Sequence, residues 1–421
     1  MTALLTLWVL FGAVGIARCW RAVRDGWSPA PKRLVGAALL ATMAFAVVPP
    51  VTSDDVVSYA AYGRMVVLRY DPYRTTPAEL AAIGDPIGAE VGEPWDDSPS
   101  IYGPVATGEH AALMWLAGDS LRTGVALLTL AGALVFGATV LCVDRLAGDA
   151  GRRRRAVLLL GLNPLVVVSL VAGAHVDTLL LLGVAAALLA LRRHPVLAGA
   201  LAGGAVSVKL TGALALLGIA WSIRQDMRRI AALALGVGLV MVPAYLAAGG
   251  WRALQQARTA SRFVSVATPW RPLRSGLQQV IPDHTARSLV PALSLVAVAG
   301  LVWLLARALP AGDATPRAVL VLSLAWVLGA TYVLPWYDSL AWLPLALVPV
   351  WSGWDRLLLW HTAVLAFVYL TGRNIGLDPV LAEVMDVART GVAPAVLAVL
   401  LVLVVRLAFR GGGRWRTTEQ H

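Results

Sequence analysis

Charged residues are scarce in this sequence: Asp, Glu, Lys and Arg make up 14% of 421 residues, against 58% hydrophobic ones. A water-soluble domain carries roughly 25% charged residues, so most of the chain has no aqueous surface to decorate. Lysine is scarcer still. Of 35 basic residues only Lys32 and Lys209 are lysines, a bias that reads as genomic coding preference and gives arginine abundance no functional meaning by itself. Two cysteines, Cys19 and Cys142, are too few for a disulfide framework or a cysteine metal cluster. No glycine-rich phosphate loop follows a strand pattern, which removes a nucleotide-binding domain from consideration. The first apolar run lacks the basic leader and small-residue exit of a cleavable signal.

What the sequence does have is long apolar runs, at 34–48, 125–143, 230–248, 289–305 and 393–405 with their flanks. A helix rising about 1.5 Å per residue needs about 20 residues to cross the hydrocarbon core. The net charge of +11 would suggest nucleic acid in a soluble protein. Here the basic residues gather in alternate short connections instead: Arg18 to Arg33, Arg152 to Arg155, Arg192 and Arg193, Arg224 to Arg229, and Arg406 to Arg416. This is the positive-inside pattern. It predicts an all-α, polytopic membrane helix bundle with about thirteen crossings, the N-terminus outside and the C-terminus inside. The crossings run roughly over 2–17, 34–50, 123–143, 156–172, 177–191, 195–208, 210–221, 230–248, 289–306, 318–334, 338–351, 357–370 and 391–409. The Gly-rich stretch 195–221 reads either as one long helix or as a broken pair. Residues 1–421 read as a single integral membrane domain, and its three long loops, 51–122, 249–288 and 371–390, all fall on the extracytoplasmic side. Long loops in compact proteins carry function.

The first of these loops is acidic. Directly after Pro49-Pro50 comes Val51-Thr-Ser-Asp-Asp-Val-Val-Ser-Tyr-Ala-Ala-Tyr-Gly-Arg-Met65. A hydroxyl residue followed by two acids is a helix start, the carboxylates facing the positive end of the dipole. On that helix Asp55, Tyr59 and Tyr62 fall at i, i+4 and i+7, on one face. A carboxylate beside two amphipathic rings suits general-base work on a polyhydroxylated acceptor. Asp54 and Asp55 are both candidates for the base. Arg69-Tyr-Asp-Pro-Tyr73 reads as a turn and Ser98-Pro-Ser-Ile-Tyr-Gly-Pro104 as a second, rigid one.

These residues resemble a known family. The run from Ser53 to Met65, with Asp71-Pro-Tyr73 and Tyr102-Gly-Pro104, is similar to the polyprenol-phosphomannose-dependent α-mannosyltransferases of bacterial cell-envelope lipomannan assembly, which belong to the GT-C class of membrane glycosyltransferases. The likeness extends in order to Asn163-Pro164, Ala174-His-Val-Asp177, Val208-Lys209 and Leu334-Pro-Trp-Tyr337. It implies a GT-C-like bundle at the cell membrane, multi-pass, with an extracytoplasmic active site. It further implies an inverting transfer of mannose from polyprenyl-phosphate-mannose to a glycan or lipoglycan acceptor of the α-1,6-mannan type. The first-loop carboxylate, Asp54 or Asp55, would then be the base, and Arg64, Asp71, Tyr73 and Tyr102 substrate contacts.

Other polar residues sit at membrane boundaries. His175 and Asp177, at i and i+2, suit hydrogen bonding to a sugar; no further His or Cys completes a metal set. Lys209 is the one lysine outside the first basic connection and is a candidate counter-charge for a lipid phosphate. Arg258, Arg262 and Arg373 offer further positive charge, and Trp336 and Tyr337 aromatic surface for a sugar or the membrane interface. No cofactor, metal or nucleic acid is expected; the expected partners are the lipid-linked donor, the acceptor and membrane lipid. The rival reading is a multi-pass transporter or lipid-linked sugar flippase, which would spread polar residues through the depth of the bundle.

Overall fold

The structure is a computed structural model, and it describes residues 2–260, 263–310, 312–348, 353–370 and 378–411. Among them every regular element is helical, as the bilayer requires of apolar segments that have no water to satisfy their peptide groups. The all-α membrane bundle expected from the sequence is the observed class. Five helices are long and apolar enough to cross a membrane: Thr6–Arg24, Leu121–Ala147, Met227–Ala247, Asp283–Ala308 and Pro379–Phe409. Asp177–Ala190, Pro195–Val208, Leu210–Ser222 and Ala314–Gly329 are apolar but shorter.

The expected crossings therefore do not map one to one onto helices, and the reasons are local. Over 195–221 the chain is a broken pair: Lys209 takes an extended conformation (φ −157°, ψ 135°) between the Pro195–Val208 helix and the Leu210–Gly212 turn. Over 156–172 the break falls at Asn163-Pro164, where Pro164 has no N–H to donate and Asn163 Oδ1 accepts the N–H of Leu165 at 3.2 Å. The 338–351 stretch opens with the tight turn Pro335–Asp338 before the Ser339–Leu347 helix. The last expected loop, 371–390, contains helix in its described part. Helix resumes at Pro379 and runs on to Gly411, and residues 371–377 lie outside the described residues.

The chain groups into two compact units, one of residues 1–28, 163–165 and 261–421 and one of residues 29–162 and 166–260. The first is cored by Trp342, which is fully buried and packs 6.0 Å from the ring of Trp20. The Trp342 indole N–H donates to Thr362 Oγ1 (2.9 Å), whose hydroxyl faces Asp338 Oδ2 at 2.7 Å. His361 Nδ1 meets the same oxygen at 2.8 Å. A buried polar cluster of this kind is tolerated because each member has a partner.

In the second unit the long loop 51–122 is itself folded, with helices Asp55–Val67, Pro77–Ala82 and Pro104–Ala117 and a tight turn at Gly88–Glu90. Thr76 and Glu79 start the second of these by a reciprocal capping box. The helices Asp55–Val67 and Pro104–Ala117 meet backbone to backbone at Gly63, where an added Cβ would lie 2.4 Å from the carbonyl oxygen of His110. Only a residue without a side chain permits that approach. Gly63→Ala should therefore lower stability by about 1–3 kcal/mol, the usual cost of overpacking, read as a fall in melting temperature in detergent. Gly108→Ala, where an added Cβ meets nothing within 4 Å, should leave it unchanged; equal melting of the two variants would contradict the close contact.

Candidate active site

The site begins where the chain leaves the Pro31–Ala46 helix. The N–H of Val51 donates to the carbonyl of Ala172 (3.0 Å), which ties the exit to the segment before His175. Ser53 Oγ then accepts the N–H of Asp55 at 3.1 Å from the position before the N-cap, Asp54, whose own side chain makes no capping bond. The phase set by this start separates the two acids. Asp54 is exposed, whereas Asp55 turns inward and keeps 24% of its side chain exposed. Tyr59 and Tyr62, four and seven residues on, are 2% and 3% exposed. The single face expected from their spacing is present.

Four side chains from three segments converge on that face. His175 Nδ1 lies 3.4 Å from Asp55 Oδ2, and the imidazole is fully buried. It follows Ala174, whose φ of 50° is a left-handed conformation that costs a residue with a side chain about 1–3 kcal/mol; the strained turn delivers the ring to Asp55. Asp177, 1% exposed, opens the Asp177–Ala190 helix and receives the Lys209 ammonium on both oxygens, at 3.0 and 2.9 Å. Burial would raise the Asp55 carboxyl. The hydrogen bond and charge of His175, the Ser53 hydroxyl and the Lys209 charge outweigh it and hold the group below the ordinary 3.8.

Aromatic rings pack on the same side. Tyr59 stacks flat on His110, centroids 4.7 Å apart and planes at 9°, and meets Tyr102 edge-on at 5.0 Å. Burial, together with the nearby charges of Asp55 and Asp177, pushes the Tyr59 hydroxyl well above its usual range. Tyr62 is raised for the same first reason and donates its hydroxyl to the Ser98 carbonyl (2.8 Å). Burial drives His110 down to about 3, so its ring is neutral; among the described residues its Nδ1 has no hydrogen-bond partner. The sequence reading missed His110. Its only signal is a place on the helix that starts at Pro104, with no motif to mark it.

The remaining candidates divide. Arg64 is engaged elsewhere, pairing with Asp85 (2.8 Å) and Asp119 (2.7 Å). Asp71 Oδ1 accepts the Tyr73 N–H (2.9 Å), and its other oxygen lies 3.8 Å from Arg252. The Tyr73 hydroxyl pairs with Thr107 Oγ1 at 3.0 Å and is pushed up to about 12, chiefly by burial. These contacts organise the loop that carries Tyr102. Trp336 and Tyr337 belong to the other unit, where their rings meet at 6.3 Å and Tyr332 adds a third at 6.1 Å. Arg258 lies on the Trp251–Ala260 helix with its side chain outside the described residues; Arg262 and Arg373 lie outside them altogether. Among the described residues no three His, Cys, Asp or Glu gather to hold a metal ion.

Comparison with known proteins adds an independent observation. The sequence family described as alpha-(1->6)-mannopyranosyltransferase, N-terminal domain, matches residues 1–225, the stretch that contains Asp55, His175, Asp177 and Lys209. Alpha-(1->6)-mannopyranosyltransferase A of Corynebacterium glutamicum is 30% identical over 175 residues, 41% of this chain and 35% of the relative. Alpha-(1->6)-mannopyranosyltransferase B of the same organism is 32% identical over 133 residues, 31% of this chain and 22% of the relative. An alpha-(1->6)-mannopyranosyltransferase of Mycobacterium tuberculosis is 32% identical over 136 residues, 32% of this chain and 23% of the relative. The matched stretches thus cover 22% to 35% of the curated relatives' own length.

The lowered Asp55 value has a consequence for stability. A carboxyl depressed by folding contributes stability that is complete above its ordinary value of 3.8 and is lost as the pH falls through the lower folded value. Melting curves taken from roughly pH 6 down to pH 3 should therefore fall less steeply for Asp55→Asn than for the unaltered chain. Parallel curves would mean that the carboxylate is not held by His175 and Ser53.

Proposed function

Because the chain belongs to the alpha-(1->6)-mannopyranosyltransferase family, whose N-terminal domain it matches over more than half its length, we propose that it transfers mannose from polyprenyl-phosphate-mannose to a cell-envelope α-1,6-mannan of the lipomannan type. The reaction runs at the extracytoplasmic face of the cell membrane, the side opposite the basic connections. The observation that carries the reading is Asp55: a carboxylate held below its ordinary value with His175 3.4 Å away, partly open, and beside Tyr59 and Tyr62, which Tyr102 packs against.

In this mechanism the acceptor hydroxyl gives its proton to Asp55 as its oxygen attacks the anomeric carbon. The bond from that carbon to the phosphate oxygen breaks, polyprenyl phosphate departs with its electron pair, and the configuration inverts. Asp55 takes the role in preference to Asp54 because it faces the tyrosines and His175 while Asp54 is exposed. The rings offer apolar faces to the sugar. The departing phosphate needs positive charge, for which Arg258 is our candidate on the same unit as Asp55; Arg262 and Arg373 as counter-charges and Trp336 and Tyr337 as sugar contacts rest on sequence alone. The polyprenyl tail stays in the bilayer throughout.

The rival reading, a transporter or lipid-linked sugar flippase, draws on the Asp177–Lys209 and Asp338–His361 pairs buried within helical units. One preparation separates the two. Purified protein given radiolabelled polyprenyl-phosphate mannose and an oligomannoside should extend the acceptor. Asp55→Asn should lower turnover by about 10²–10⁴-fold, the range for loss of a general base, with Asp54→Asn close to the unaltered rate. Lipid movement across vesicles without sugar transfer would favour the rival, and full turnover by Asp55→Asn would remove the base.

A further inference from the structure

Asp177 and Lys209 stand 32 residues apart in sequence, and each begins a short route to the helix that carries Asp55. From Asp177 the route runs back two residues to His175, whose Nδ1 is 3.4 Å from Asp55. From Lys209 it runs back one residue to Val208, whose carbonyl accepts the N–H of Gly103 at 2.9 Å. That approach is tight: a Cβ on Gly103 would lie 2.2 Å from the Ser207 carbonyl oxygen. Gly103 follows Tyr102, which packs edge-on against Tyr59, one helical turn from Asp55. The contacts thus form a closed ring, from Asp55 through Tyr59, Tyr102, Gly103, Val208, Lys209, Asp177 and His175 back to Asp55.

We infer that the Asp177–Lys209 ion pair is a positioning strap that closes this ring, with Asp177 and Lys209 holding the Asp55 pocket in shape, and that Lys209 does not serve as the counter-charge for a lipid phosphate. The inference rests on the transferase reading above. Its first support is how the ammonium is engaged. Lys209 contacts both oxygens of a carboxylate that is 1% exposed, and only 12% of its own side chain is open. With two of its three N–H donors committed to Asp177, the ammonium would have to loosen that pair to serve a phosphate as its main partner, which the buried charge of Asp177 opposes. The second support is the backbone. Lys209 is extended at a helix break, and the pair joins that break to the start of the Asp177–Ala190 helix.

The test is a double-mutant cycle on the full chain in lipid nanodiscs, with polyprenyl-phosphate mannose as donor. Asp177→Asn and Lys209→Gln should each lower turnover about 10–100-fold while the donor KM changes less than about threefold, the pattern of lost positioning. The paired variant Asp177→Asn with Lys209→Gln, neutral on both sides, should be no slower than the worse single variant, because the two residues act through one shared contact and their losses are non-additive. The charge-reversed pair Asp177→Lys with Lys209→Asp, which rebuilds the ion pair, should recover to within about fivefold of the unaltered chain. Amide exchange over residues 53–64, which needs no turnover, should quicken in both single variants and return towards normal in the charge-reversed pair. A rise of more than about tenfold in donor KM for Lys209→Gln at unchanged turnover would instead assign Lys209 to the phosphate. Losses that add up in the neutral pair, a charge-reversed pair as slow as the worse single variant, or exchange unaffected by either single substitution would equally overturn the strap. Absence of mannose transfer by the unaltered protein would sink the transferase reading, while the exchange experiment would still decide the strap.

Discussion

An ionised side chain cannot stand alone among apolar helices, and the second unit is organised around meeting that constraint at Asp55. Its carboxylate is offset by His175, 3.4 Å away, while the Ser53 hydroxyl accepts the Asp55 backbone N–H at the helix start. The same rule recurs through the molecule. Asp177 is met by Lys209, Asp144 by Arg153 through two bonds of 2.7 and 2.6 Å, and Asp338 by His361 and Thr362. Buried pairs contribute little net stability because desolvation consumes most of their attraction, yet removing one member is costly. What they provide is placement. Each fixes the relation between two segments that apolar packing, being non-directional, would leave free to slide.

Asp55 differs from the other acids in remaining open. Asp177 and Asp338 are 1% and 0% exposed and fully committed to protein partners or sealed from solvent. Asp55 keeps about a quarter of its side chain accessible and lies near Tyr59 and Tyr62, against which Tyr102 packs. The aromatic wall is held from behind by His110, neutral and stacked on Tyr59, and by the Gly63 contact that brings its helix close enough to stack. A carboxylate that is ionised, held in place and accessible is suited to accept a proton; one that is sealed is suited to hold structure.

Much of the fold was legible in the sequence, because the features that reveal it are local. Depleted charge and long apolar runs give the helical membrane class, Ser53 before two acids gives the helix start, and the i, i+4, i+7 spacing puts Asp55, Tyr59 and Tyr62 on one face. The either-or reading of 195–221 resolves at Lys209, the one charged residue in that stretch. What stayed hidden depends on contacts between distant residues. Asp55 and His175 are 120 positions apart and Asp177 and Lys209 are 32 apart, and nothing in the local pattern pairs them. The helical content of the 51–122 loop was only partly visible, since Pro77–Ala82 and Pro104–Ala117 are too short for periodicity to announce. The pairing of Arg64 with Asp85 and Asp119 was hidden for the same reason, since both acids lie far along the chain.

The most direct test of the central claim is a structure of the full chain bound to a non-transferable phosphonate analogue of polyprenyl-phosphate mannose together with an oligomannoside. The account predicts the acceptor hydroxyl within hydrogen-bond reach of Asp55, about 2.6–3.2 Å, on the face opposite the bond to the phosphonate, with the sugar against Tyr59 or Tyr102. An acceptor bound away from Asp55, or a donor whose anomeric carbon faces a different acid, would contradict it.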